Sequence, residues 1–148
     1  MRAVHQQIAA WRALFSCQSR IVRIVESTFR AQNLVSFEFY DVLLTLRYAP
    51  DRQMRFRDLN QEVLLSRSAL SRCIDRMAAR GLVNKLGCAT DPRGVEVKLT
   101  AAGEQELKRA WPVYRELIVR LFGKHFDERE LVFLAERLSE VVRRLPTR

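Results

Sequence analysis

Between Ser66 and Arg76 the sequence spaces arginine and serine so that a helix would carry them on one side. At about 100° per residue, with Arg67 at the origin, Ser71, Asp75, Ser68, Ala79 and Arg72 fall at roughly 40–140° and Arg76 at about 180°. Leu70, Cys73, Ile74 and Met77 fall at roughly 240–340°. One face is therefore apolar. The other carries three arginines and two serines against a single aspartate. Short hydroxyls let a helix approach a DNA duplex closely, and arginine hydrogen-bonds guanine bidentately in the major groove. The plainer reading is a solvated helix surface, although such surfaces usually mix Glu with Lys.

A second candidate is Asp91-Pro92-Arg93-Gly94. Pro at the second position and Gly at the fourth suit a type I turn, which would place Arg93 at a hairpin tip. From there its guanidinium can enter a narrow minor groove, where negative potential favours arginine. Asp91 would hold that guanidinium in one orientation. An ordinary turn whose Asp caps its own backbone is the compatible, simpler reading.

Other chemistries find little support. There is no phosphate-binding glycine loop, no Gly-x-Ser-x-Gly elbow and no paired His–carboxylate motif, so neither an enzyme nor a cofactor is expected. His5 and His125 are isolated, and no Cys/His cluster has metal-ligand spacing. Of the three cysteines, Cys73 falls on the apolar face and reads as an inert core residue, Cys17 sits in the first segment and Cys88 near the hairpin.

The 148 residues carry 26 Lys+Arg against 17 Asp+Glu, a net charge of +9. That balance marks a candidate polyanion binder, either of nucleic acid or of an anionic membrane surface. Arginine supplies 22 of the 26 cations, so the total alone says less than its distribution. Residues 66–94 hold six cations and two anions, and residues 1–32 hold five arginines and one glutamate, so each block sums to +4. A hydrophobic fraction of 48% with 29% charged residues fits an ordered globular chain rather than a disordered one. No apolar run approaches the roughly 18 residues of a membrane span. The start, Met1-Arg2-Ala3-Val4-His5, has no apolar signal core, and a cytoplasmic protein is expected.

The elements that must position these residues follow from periodicity. Residues 2–32 read as one amphipathic helix on the stripe Val4, Ile8, Trp11, Phe15, Val22, Val25 and Phe29, with Asn33 as its stop. A second helix runs from Ser36 to Tyr48, a short third from Phe56 to Val63, and a fourth from Ser66 to Arg80, ended by Gly81. Val83–Leu86 and Val95–Leu99 are strand-like and form a hairpin. Helix returns at Thr100 with Leu107, Ala110, Tyr114, Leu117 and Leu121, and Pro112 should kink or split it. Asp127 caps a last helix whose stripe, Leu131, Leu134, Leu138, Val141 and Leu145, has heptad spacing. The class is mainly α with a small β-hairpin wing. Helix, helix, helix, hairpin over 36–100 is a winged helix-turn-helix pattern, flanked by helical regions 1–35 and 101–148.

The residues from Leu64 to Met77, Gly81-Leu82-Val83, Asp91-Pro92-Arg93-Gly94, and Leu99-Thr100 with Gly103, in that order and spacing, resemble the MarR family of bacterial transcription regulators. Met77 stands where Leu is more usual, and Asn60 where Ala is common. The resemblance implies a homodimer in which the first helix and the last two interlock with a second copy, making 1–35 and 101–148 dimerisation helices. It implies DNA contacts from Ser66, Arg67, Ser68, Ser71, Arg72 and Arg76, a wing contact from Arg93 supported by Asp91, and a phosphate contact from Lys85. The expected function is a sequence-specific double-stranded-DNA-binding regulator, a repressor on a pseudo-palindromic operator. A small, phenolic effector would release it, with no membrane partner. Trp11, Phe15, Phe37, Tyr40, Trp111 and Tyr114 are candidates to line an effector cleft, with Arg109 for a ligand carboxylate, although aromatic residues at helical spacing are usually core. The alternatives are a thiol-based regulator sensing through Cys17, whose surroundings differ from those of the thiol-sensing branch, and a non-specific architectural DNA binder.

Overall fold

The helices begin where the sequence offers a cap. The computed structural model describes residues 2–146. In chain order it has α1 (Arg2–Ala31), α2 (Phe37–Tyr48), a 3-10 turn at Pro50–Arg52, β1 (Gln53–Arg55), α3 (Phe56–Glu62), α4 (Arg67–Ala79), β2 (Val83–Cys88), β3 (Asp91–Leu99), α5 (Ala101–Leu121), a 3-10 turn at Gly123–His125 and α6 (Glu128–Arg144). Ser36 Oγ accepts the Phe39 N–H at 3.3 Å, and Ser66 Oγ accepts the Ala69 N–H at 3.3 Å. Asp127 and Glu130 form a reciprocal capping box, both bonds at 2.9 Å. Asn33 (φ 53°) stops α1, with the Leu34 N–H donating to the Phe29 carbonyl at 2.9 Å; Gly81 (φ 70°) stops α4 in the same way.

The core is built from one stripe of each of α1, α2, α4 and α5. α1 contributes Val25 and Phe29, α2 contributes Phe39, Val42, Leu43 and Leu46, and α5 contributes Leu107, Ala110 and Leu117. All four residues of the apolar face of α4, Leu70, Cys73, Ile74 and Met77, are buried. α5 runs unbroken through Pro112, so the proline does not split it.

Two readings of the β region are corrected. The sheet has three strands, not two, in the order β1-β3-β2; β1 is added by Met54 facing Val97 in an antiparallel pair. The hairpin loop is Ala89-Thr90, not Asp91–Gly94. Gly87 pairs with Val95 and Cys88 with Asp91, so Pro92, Arg93 and Gly94 bulge out of β3 without partners. Proline has no N–H to give to a ladder, and a bulge is where a strand can hold one. Arg93 therefore projects from a bulge beside the tip rather than from the tip.

Thr100 joins the parts. Its hydroxyl donates to the Gly81 carbonyl at 2.7 Å and accepts the Gly103 N–H at 3.1 Å. A Cβ at Gly103 would run into the Leu82 carbonyl oxygen and come within 2.8 Å of Leu99 and 2.9 Å of Leu43. Gly103→Ala should therefore overpack this junction and cost about 1–3 kcal/mol, read as a lower urea midpoint at unchanged slope.

Candidate nucleic-acid interface

A groove of about 870 Å³ opens between α4 and the wing. Ser66, Arg67, Ser68 and Ser71 line it from the start of α4, and Lys85, Asp91 and Arg93 from the hairpin. Seven of the nine residues singled out from the sequence for DNA thus share one surface. The capped N-terminus of α4 points its serines into that groove because the opposite face is fully engaged in the core.

Arg72 and Arg76 lie outside it. Arg76 turns back to α2, where its Nη2 is 3.4 Å from Glu38 Oε2 and its guanidinium lies over the Phe39 ring at 5.4 Å. Arg80 covers the same ring at 5.5 Å. Lys85 donates to Asp75 Oδ1 at 2.7 Å, which ties the wing to α4. Asp91 Oδ1 accepts the backbone N–H of Arg93 at 2.9 Å, and among the described residues no ion pair joins its carboxylate to the Arg93 guanidinium. Asp91 thus shapes the bulge that carries Arg93.

Arg55, Arg57 and Asp75 also line the groove and were not foreseen as site residues. Arg55 reaches it from the end of β1 and donates to the Thr90 hydroxyl in the hairpin loop. A signal existed in the pair Arg55–Arg57 at the start of a short helix, but only the third strand turns it toward the wing. Burial holds the Asp41 carboxyl above its ordinary range, against a smaller opposing pull from the Leu64 backbone N–H.

No protein-family model matches the chain. The structure of AbsC, a MarR family transcriptional regulator from Streptomyces coelicolor, superposes with a TM-score of 0.80 at 25% identity, covering 93% of both chains. The chain is similar in fold and sequence to MarR family transcriptional regulators. The proteins it resembles are transcriptional regulators. A mutant MarR from E. coli complexed with operator DNA matches with a TM-score of 0.75 at 25% identity, over 95% of this chain and 96% of that one. The transcriptional repressor YetL of Bacillus subtilis is 23% identical over 133 residues, 86% of this chain and 79% of YetL.

The candidate effector residues divide. Phe37, Tyr40 and Tyr114 come together with Phe29 where α1, α2 and α5 meet, with ring centroids 4.8–6.1 Å apart. Trp11 and Phe15 pack on each other at 4.6 Å on the exposed part of α1, and Trp111 is also exposed. Arg109 is engaged: its Nη2 donates to the Asn33 carbonyl at 2.8 Å and meets Glu106 at 3.0 Å. Cys17 is exposed on α1, Cys73 is buried with its thiol pushed up to about 11 by burial, and the Cys88 side chain lies outside the described residues. Among the described residues no group of His, Cys, Asp and Glu is arranged to hold a metal, and no helix is long and apolar enough to cross a membrane.

Burial pushes the Tyr40 phenol up to about 12. The unfolded chain ionises this group near 10, so the fold holds a proton that the unfolded state releases. Its contribution is whole below pH 10 and is lost as pH rises toward about 12. Urea melts at pH 8 and pH 11 should show a smaller alkaline loss in Tyr40→Phe than in the wild type.

Proposed function

We propose that this chain is a sequence-specific, double-stranded-DNA-binding transcription regulator that works as a homodimer, and that it represses the genes it binds. The observation that carries the reading is the groove itself: a serine- and arginine-bearing helix face and an arginine-bearing wing open onto one surface. In this reading Ser66, Arg67, Ser68 and Ser71 approach base edges and phosphates in the major groove, and Arg93 enters the adjacent minor groove. Lys85, Arg55 and Arg57 meet phosphates. Arg72 reaches the duplex from the flank of α4, and Arg76 does so on leaving Glu38. The operator-bound E. coli relative supports DNA as the ligand, and YetL supports repression.

A homodimer accounts for helices that one copy leaves open. α6 has no buried residue along its length; Leu138, Val141 and Leu145 of its stripe are exposed. Val4, Ile8, Trp11 and Phe15 are exposed on α1. A second copy that covers both faces supplies the missing core and sets two winged domains on a pseudo-palindromic site. The Phe29–Phe37–Tyr40–Tyr114 cluster sits between those helices and the winged domain. There an aromatic effector would act by repacking the rings.

Selection from a random duplex pool tests the reading, since a regulator enriches a two-fold-related site and an architectural binder enriches none. On the selected site, Arg93→Ala should weaken binding mainly through the outer, minor-groove positions. Arg72→Ala should cost about 1–3 kcal/mol and relax one position if it reads a base. An equal loss on every sequence would restrict it to phosphate. Sedimentation at micromolar concentration should give a dimer, and a stable folded monomer would overturn the architecture.

A further inference from the structure

Asp75 is a carboxylate on a surface that receives a polyanion. It stands on the face of α4 that carries Ser68 and Ser71, lines the groove, and is 58% exposed. Around it the groove is lined by Arg55, Arg57, Arg67, Arg93 and Lys85. A negative charge there repels phosphate and offers only acceptors. Lys85 Nζ bonds its Oδ1 at 2.7 Å, which offsets the charge and engages one carboxylate oxygen. Among the described residues no other hydrogen bond or ion pair engages it. The second oxygen is left to accept from whatever enters the groove. In the major groove, guanine presents two acceptors and thymine one, and adenine sets an acceptor beside its amino group. Cytosine alone presents an amino donor with no acceptor beside it.

We infer that Asp75 is a specificity-determining residue, which accepts a hydrogen bond from a cytosine amino group in the major groove and rejects bases that present acceptors there, while Lys85 holds the carboxylate in position. The inference rests on the DNA-binding reading above and names one position of the site that reading predicts.

The test runs the random-pool selection with wild type, Asp75→Asn, Asp75→Ala and Lys85→Ala, then measures affinity on duplexes differing at one base pair. Asp75 is exposed, so these variants should keep the fold; superimposable melting curves check this. Wild type should select cytosine at one symmetric position and lose roughly 10-fold or more when that pair is changed. Asp75→Ala should lose the preference at that position alone and bind unrelated duplexes more tightly. Asp75→Asn, with a donor and an acceptor side by side, should move the preference toward adenine. Lys85→Ala should still prefer cytosine there, with a smaller penalty for changing that pair. If wild type selects a site but the Asp75 variants select the same one, or lose every position equally, or match Lys85→Ala, then Asp75 only anchors Lys85 and the inference is wrong. A wild-type pool that stays random would overturn the DNA-binding reading, and this inference with it.

Discussion

Thr100 and Gly103 hold together parts of the chain that would otherwise move independently. At this point the end of α4, both ends of the wing and the start of α5 come within hydrogen-bonding distance. Thr100 bonds the Gly81 carbonyl with its hydroxyl and the Leu82 carbonyl with its N–H, at 2.7 and 3.2 Å. Gly103 lets the first turn of α5 press onto the Leu82 backbone, where any side chain would separate them. The two walls of the groove, α4 and the hairpin, are fastened to each other here. Lys85–Asp75 and Arg55–Thr90 brace it further out. The same junction joins the winged domain to α5, so a change in the packing of the long helices reaches the groove through a short, stiff connection.

The local part of this design is legible in the sequence. Ser36, Ser66, Thr100 and Asp127 mark helix starts because a cap needs only a residue and its neighbours three positions on. The face of α4 is legible for the same reason: a period of about 3.6 assigns Leu70, Cys73, Ile74 and Met77 to the core, and the rest follow. What stayed hidden depends on distant partners. β1 is three residues long and exists only because β3 offers it a ladder. Asp91-Pro92-Arg93-Gly94 has the local chemistry of a turn, yet the pairing of Cys88 with Asp91 closes the hairpin earlier and turns the same residues into a bulge. Arg109 looked available to a ligand, but the end of α1 leaves the Asn33 carbonyl open and the arginine takes it.

α1 shows how one uninterrupted element serves two environments. Its C-terminal part buries Val25 and Phe29 against α2 and α5, while the apolar residues of its N-terminal part stay exposed. At about 1.5 Å per residue its 30 residues extend roughly 45 Å, farther than the core of one copy reaches. The sequence stripe is continuous throughout, so periodicity alone does not reveal where the chain's own core ends.

The arginine content of the groove has a physiological consequence. Arg55, Arg57, Arg67 and Arg93 supply most of the positive charge that lines it. Ionic strength, through the counterions a duplex sheds, is what tightens or loosens the grip. Lysine acetylation, the common enzymatic way to cancel such charge, finds one ammonium there, Lys85. Acetylating it would remove one positive charge and release the Asp75 carboxylate from its brace.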